Sequence, residues 1–359
     1  MQKKDGLKIK RYPASNNRSL QAWSAADEYI LRHIKELDLS EKHILIYGDS
    51  FGYLATQIKA KSICIAVDGA AQKGAIIKNL EDNKVKSPVT FITLTEETPE
   101  KCAIAFIKIP KSLEQFELFL HHFMHNASQD SEIVCGFMTR HFSKQLVSIC
   151  EDYFEEVSQS LAWKKARLLI CKKGKKLEKK TLINTISFNN EPISQHYGVF
   201  SSNSIDAATQ LLMAQIKTVE DETKVMDLGC GNGIIGLHLM KLNDTIDLHL
   251  VDDSFMAVES AKLNIQNATF HHAYNLDSFS DNSFDLIVTN PPFHVGHEID
   301  ISVPIRLFKE AHDKLKVGGL FYVVANNHLN YKTHLSKLFK EIEVAEDNEK
   351  FTTYKCCKT

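Results

Sequence analysis

The sequence predicts an α/β protein made of two tandem Rossmann-like domains, the first a degenerate copy of the second. Three observations predict it. Short β-rich runs alternate with longer helical segments along the 359 residues, the pattern of mostly parallel sheets. The alternation is laid down twice. A full glycine-rich loop after the first strand occurs only in the second half.

In the N-terminal half, His43-Ile44-Leu45-Ile46-Tyr47 and the turn Gly48 to Gly52 occupy the place of a first strand and its loop. Ile63 to Asp68 takes the place of a second strand, and Ala103 to Pro110 that of the central strand end. The glycines are reduced, so residues 1–185 are read as a domain that has lost its cofactor chemistry. The polar segment Asn184 to Glu191, ending at Pro192, reads as a linker. In the C-terminal half, residues 186–359, Lys224 to Leu228 reads as a first strand, Ile234 to Leu242 as a helix, and Asp247 to Asp252 as a second strand. A helix from Phe255 to Ile265, strands at Thr269 to Ala273 and Phe284 to Thr289, a helix from Ile305 to Leu315 and a strand from Leu320 to Ala325 complete a doubly wound sheet.

Composition points to an intracellular protein. The hydrophobic fraction of 43% and charged fraction of 25% are those of a globular chain long enough for two cores. No apolar run approaches the roughly eighteen residues that span a bilayer, and Met1 to Asp5 is followed by no signal core. The eight cysteines form no C-x-x-C pair and read as reduced core residues, not a zinc site or a disulfide framework. The expected location is the cytoplasm. The expected state is a monomer, with no membrane partner and no metal.

A net charge of −2 gives no global sign of nucleic-acid binding, but from Lys164 to Lys180 nine basic residues face a single acid. Lys164, Lys165, Arg167, Lys172 and Lys173 are the candidates for phosphate contact, each neutralised phosphate releasing counterions. A solvated interdomain linker is the other reading of such a run. His121, His122 and His125 have helical spacing that could hold a metal, yet no acid or cysteine ligand is placed beside them, and packing is the better reading.

The chemistry is concentrated in two segments roughly sixty residues apart. Asp227-Leu228-Gly229-Cys230-Gly231-Asn232-Gly233 follows a strand, where glycines let a ligand approach the backbone. It departs from G-x-G-x-x-G, because Asn232 stands where a third glycine would pack a pyrophosphate. The form suits a cofactor without phosphates, with an amino-acid moiety over Gly229, Gly231 and Gly233: S-adenosylmethionine, not a nicotinamide. Asp252, at the end of the second strand, is placed to accept both ribose hydroxyls, whereas alternation turns Asp253 away. Tyr274 and Asn275 are candidates for the adenine, Tyr274 equally for a rim aromatic. Gly198-Val199-Phe200-Ser201, followed by Asp206, would form a lead-in loop whose Phe200 and Ser201 cover the methionine end of the cofactor.

The second segment, Asn290-Pro291-Pro292-Phe293, ends an apolar strand. An amine conjugated to a heteroaromatic ring has a delocalised lone pair. An asparagine oxygen and a neighbouring carbonyl, both accepting from the amine hydrogens, draw that nitrogen toward sp3 geometry. Asn290 and Pro291 supply the acceptors, and proline brings a carbonyl with no competing N–H. Phe293 would stack on the base. His294 and His297 flank the loop as possible substrate contacts.

These motifs, with Leu20-Gln21-Ala22-Trp23, Ala25 to Tyr29, Leu161-Ala162-Trp163-Lys164-Lys165-Ala166-Arg167, Val324-Ala325-Asn326 and His328-Leu329, resemble the bacterial ribosomal RNA guanine-N2 methyltransferases. The likeness covers nearly the whole chain and is nearer the large-subunit (23S) branch than the small-subunit one. It implies two class I methyltransferase domains, an inactive N-terminal one serving RNA binding, and action on protein-free or early-assembly rRNA. Asn327 stands where the branch leads one to expect arginine. The alternatives are a 16S rRNA target, methylation of a glutamine side chain or of adenine N6 by the same tetrapeptide, and a noncatalytic RNA-binding assembly protein keeping a relic pocket.

Overall fold

The structure is a computed structural model that describes residues 2–4, 6–12, 20–178, 181–201, 204–292, 294–295, 298–299 and 301–359. Contacts divide the chain into two compact units, Met1–Leu182 and Ile183–Thr359. The first runs β1 (Gln2–Lys4), β2 (Leu7–Ile9), α1 (Ala25–Ile34), β3 (His43–Tyr47), β4 (Ser62–Ala66), α2 (Ala70–Asp82), β5 (Val89–Ile92), β6 (Cys102–Lys108), α3 (Leu113–Asn126), β7 (Ala127–Met138), α4 (Lys144–Tyr153), β8 (Phe154–Gln159) and β9 (Ala166–Gly174). The second runs β10 (Ile183–Phe188), β11 (Glu191–His196), α5 (Ala207–Gln215), β12 (Lys224–Leu228), α6 (Ile234–Leu242), β13 (Asp247–Asp252), α7 (Phe255–Asn264), β14 (Thr269–His272), β15 (Phe284–Thr289), β16 (His294–Val295), β17 (Glu298–Ile299), α8 (Ser302–Lys314), β18 (Leu315–Asn326), α9 (Tyr331–Leu335), β19 (Glu341–Asp347) and β20 (Phe351–Cys357).

Each unit carries a seven-stranded sheet of the same order: β5-β4-β3-β6-β7-β9-β8 in the first and β14-β13-β12-β15-β18-β20-β19 in the second. The inner strands are parallel and almost continuously apolar because helices cover both faces. Alternation divides the core of the second unit. Val225, Leu250 and Val288 pack with α5, α6 and α7 on one face, while Met226, Val251 and Ile287 pack with α8 and α9 on the other. Each such side chain contributes roughly 1.5–3 kcal/mol by leaving water.

The segment read as a linker is structured. Ile183–Phe188 and Glu191–His196 form an antiparallel hairpin of the second unit. Its turn residues Asn189 and Asn190 have φ of 51° and 65°, left-handed values that asparagine tolerates. Ile186 and Ile193, directly paired and buried, are the apolar pair that holds it to the core. Helix α8 starts at Ser302, before the expected Ile305, since Pro304 lies in the first turn where no N–H is required. Strands β19 and β20, which the sequence reading does not assign, complete the sheet edge.

Candidate active site

Strand β12 lies between β13 and β15, and the chain leaves it in opposite directions on the two sides, so the carboxyl ends of these strands form the topological switch point at which open α/β sheets bind ligands. The sequence candidates converge there. The glycine loop follows β12, Asp252 ends β13, Ala273 to Asn275 follow β14, and Asn290 follows β15. The Thr289 hydroxyl donates to the Leu228 carbonyl at 2.6 Å, joining the last turns of β12 and β15.

The loop is built around the two aspartates. Gly231 N–H donates to Asp252 Oδ2 at 2.9 Å, and Ser254 N–H donates to Oδ1 at 2.8 Å. The Asp252 carboxylate, which can only accept, thus ties the glycine loop to the N-cap of α7. Asp227 is fully buried. Its Oδ2 accepts from Gly236 N–H at 2.9 Å, while Oδ1 has no hydrogen-bond partner among the described residues. Burial, and next the charge of Asp252, push its carboxyl up to about 7. A buried acceptor left unmatched suits a cationic ligand. A Cβ built on Gly229 or Gly231 meets nothing within 4 Å, leaving the backbone open to a ligand, whereas at Gly233, with φ of 83°, it would press on Ala261 at 3.1 Å. These features fit an amino-acid cofactor without phosphates.

Asn290 is partly buried, and Pro291 is buried. The Asn290 Nδ2 group donates to Asp206 Oδ2 at 3.1 Å and to Thr209 Oγ1 at 2.8 Å. Asp206 caps α5 and accepts Thr209 N–H through the same oxygen. A carboxylate can only accept, so it fixes the amide with NH2 inward and leaves Oδ1 as the acceptor. Asp206 enters the sequence reading only as part of a lead-in segment. Thr209 is missed there, because nothing local signals a contact 81 residues away.

The lead-in turn is tied to the glycine loop. Buried Gln195 donates to the Val199 and Phe200 carbonyls at 3.1 and 3.4 Å and accepts from Asn232 Nδ2 at 2.7 Å. Phe200 is 71% exposed, and the hydroxyl of Ser201, a residue with φ of 68°, donates to the Ser204 carbonyl at 2.7 Å. Tyr274 is partly buried, with the Arg306 guanidinium 5.8 Å from its ring centre and donating to its carbonyl at 2.7 Å; Asn275 Nδ2 bonds Asp277. Phe293 and His297 lie outside the described residues, as does the side chain of His294. Asn327 bonds Asn348 and Thr352 within the β18–β20 connection.

Strand register shows what the first unit lacks. Tyr47 pairs with Ala66 and Ile107 as Leu228 does with Val251, with Thr289 one residue beyond the last parallel pair, so the counterparts of Asp227, Asp252 and Asn290 are Ile46, Val67 and Lys108. In place of the asparagine, Lys108 donates to buried Asp27 on α1 at 2.8 Å. The basic run is also partly neutralised: Lys164, Lys172 and Lys173 pair with Glu28, Glu132 and Glu156. Lys165 and Arg167 stand beside Ala166 at the head of β9. The histidines of α3 bond one another and Tyr47; among the described residues no group of histidine, cysteine and acid is arranged to hold a metal.

A doubly wound sheet with a glycine loop, a strand-end acid and an Asn-Pro-Pro strand end defines a class I methyltransferase, here following a degenerate copy of the same fold. Residues 1–175 match the family described as RLMG N-terminal domain, and residues 190–355 match the methyltransferase small domain. "Ribosomal RNA large subunit methyltransferase G" of Yersinia enterocolitica is 32% identical over 98% of this chain and 92% of its own length. The protein of the same name from Shewanella loihica is 30% identical over 98% and 93%. The chain belongs to the ribosomal RNA large subunit methyltransferase G family. In fold it is similar to the T. thermophilus 16S rRNA N2 G1207 methyltransferase (RsmC) solved with AdoMet and guanosine, with a TM-score of 0.79 and 18% identity over 98% of this chain and 95% of that one. No helix among the described residues is long and apolar enough to cross a membrane.

Proposed function

We propose that the chain methylates the exocyclic N2 amine of a guanine in large-subunit (23S) rRNA, using S-adenosylmethionine. The observation that carries this reading is the fixed amide of Asn290: with both its hydrogens held by Asp206 and Thr209, Oδ1 is left to accept, beside the Pro291 carbonyl. Two acceptors in adjacent residues match the two hydrogens of an aromatic amine and favour the pyramidal nitrogen of the transition state over the planar ground state. The cofactor, when bound, supplies a methyl group already activated on a sulfonium. Gly229, Gly231 and Asp227 would hold its amino-acid portion, Asp252 its ribose, and Tyr274 and Asn275 its adenine. Phe200 and Ser201 would close over it, and Phe293 would stack on a base taken out of the RNA. Orientation and exclusion of water supply most of the rate, and no side chain is assigned as a base.

In this reading Lys164, Lys165, Arg167, Lys172 and Lys173 of the first unit contact RNA phosphates, and the enzyme works in the cytoplasm as a monomer on protein-free or early-assembly rRNA. The test is transfer of labelled methyl to deproteinised rRNA from a strain lacking the gene, with nucleoside analysis. The expected product is N2-methylguanosine in 23S rRNA, and Asn290→Ala abolishes it while S-adenosylmethionine affinity stays within about threefold. Label in protein, in N6-methyladenosine or in 16S rRNA instead would overturn the assignment.

A further inference from the structure

The first unit contains a cleft of about 300 Å³ lined by Tyr29, Arg32 and His33 of α1, by Glu36 in the turn after it, and by Leu161 and Trp163 of the β8–β9 connection. Nothing in the methyl-transfer reading uses it. Trp163 is partly buried, with the Tyr29 ring tilted at 5.6 Å. The Arg32 guanidinium carbon lies 5.5 Å from the indole centre and the Lys164 ammonium 4.6 Å from it. Leu161, at 87% exposure, forms an apolar lip, and its carbonyl is held by the Tyr29 hydroxyl at 3.0 Å.

The turn beside the cleft is locally unfavourable. Trp163 and Ala166 exchange both backbone hydrogen bonds at 2.8 Å around Lys164 and Lys165, whose φ values are 48° and 61°. Such a two-residue turn favours Asn-Gly, because both positions are left-handed. Lysine at both positions runs against its own conformational preference, and Thr139 fixes the turn by donating twice to the Lys165 carbonyl, at 2.8 and 3.1 Å. Two cations are thereby set beside an aromatic wall. The acids at hand are Glu28, which pairs with Lys164 at 2.9 Å, and Glu36. The Lys164 side chain stays 57% exposed, so its ammonium can exchange that carboxylate for a phosphate.

We propose that this cleft is a second RNA site, taking one unpaired base against Trp163 and Tyr29, with the flanking phosphates on Arg32, Lys164 and Lys165. The inference rests on the proposed RNA substrate and adds to it the strand state that the first unit reads. Aromatic and guanidinium planes stack unpaired bases of any identity. The volume admits one base and not a duplex groove or a helix of a protein partner.

The chain has two tryptophans, and Trp23 stacks on Tyr53, so Trp23→Phe keeps an aromatic ring there and isolates the Trp163 fluorescence, at the loss of the Trp23 Nε1 bond to Glu28. A mixed-sequence 12-mer oligoribonucleotide is expected to quench it, and the same oligomer as a duplex is not. Trp163→Ala is expected to weaken oligomer binding and raise KM for rRNA about tenfold, with Trp163→Phe retaining most of both. Lys164→Asn with Lys165→Gly relieves the turn, so its Tm should rise while oligomer affinity falls. That split keeps the proposal falsifiable if Trp163→Ala fails to fold. Quenching by ribosomal proteins but not by the oligomer, or a raised Tm with unchanged RNA affinity, overturns it. If wild type methylates rRNA but Trp163 never responds to RNA, the cleft inference fails alone; if wild type transfers no methyl to RNA, the functional reading has failed.

Discussion

In the proposed reaction the chemistry at Asn290 depends on which way one amide faces, and Asp206, a carboxylate that can only accept, holds its NH2 group. Asp206→Asn keeps a good helix cap but lets residue 206 present either oxygen or NH2, so the Asn290 amide can turn over. The expected outcome is a fall in kcat of roughly tenfold to a hundredfold, with S-adenosylmethionine affinity nearly unchanged. Thr209→Val should behave likewise and Thr209→Ser should stay near wild type, both read by steady-state kinetics on rRNA; equal losses in cofactor binding and turnover would mean that Asp206 only holds α5 together. Asp227 makes a second residue-scale prediction. Its carboxyl, held up at about 7 by burial and then by Asp252, must be ionised to hold a cationic group. Cofactor affinity is therefore full above pH 7 and lost as pH falls through 7, by up to about tenfold per unit. Without ligand the sign reverses: folding favours the protonated form, a contribution present below the ordinary carboxylate range and lost as pH rises through about 7. Calorimetric titration from pH 5.5 to 8 should show the slope in wild type and a flat profile in Asp227→Asn.

Between elements, the buried Gln195 amide couples the lead-in turn after β11 to the loop after β12. Gln195→Leu keeps the volume but takes from the Asn232 Nδ2 group and the Val199 carbonyl the partner that Gln195 gives them, in a buried region. The expected cost is about 2–3 kcal/mol in urea unfolding, together with weaker cofactor binding; an unchanged KM for S-adenosylmethionine would show that the coupling is structural only. The contact also shows what local sequence carries and what it does not. The strands from Lys224 to Thr289 are legible because buried parallel strands are runs of Val, Ile and Leu, and the glycine loop and Asn-Pro-Pro turn are legible because their backbone needs restrict residue choice. The segment Asn184 to Glu191 reads as a linker because, of the hairpin's two strands, Ile186 and Ile193 are the apolar side chains buried in the core, with Phe188 packed partly against it. Strand β19, Glu-Ile-Glu-Val-Ala-Glu-Asp, is polar because it is an exposed edge. The neutralisation of Lys172 and Lys173 comes from Glu132 and Glu156 on neighbouring strands, which a charge count along the chain cannot see.

Over the whole chain, two sheets of one strand order differ at the positions proposed to contact cofactor and amine, and not in the framework. Ile46 and Val67 replace the two acids with side chains that complete an apolar core, and Lys108 with Asp27 replaces the Asn290 amide network by an ion pair. Asp49, in the loop after β3, accepts three backbone N–H groups at 2.8–3.0 Å, closing the turn on itself where the second unit leaves Gly229 and Gly231 open. A Cβ at Gly48 would meet the Lys108 carbonyl at 2.4 Å, so this loop is drawn onto the neighbouring strand end. Such a site has neither the acceptors nor the exposed backbone that an amino-acid cofactor needs. Calorimetry with S-adenosylmethionine should therefore give one site per chain, eliminated by Asp252→Ala and unaffected by Lys108→Asn. The latter instead leaves Asp27 buried without its cation and should cost about 3 kcal/mol of stability. A second binding event that survives Asp252→Ala would show that the first unit has kept a cofactor site despite its side chains.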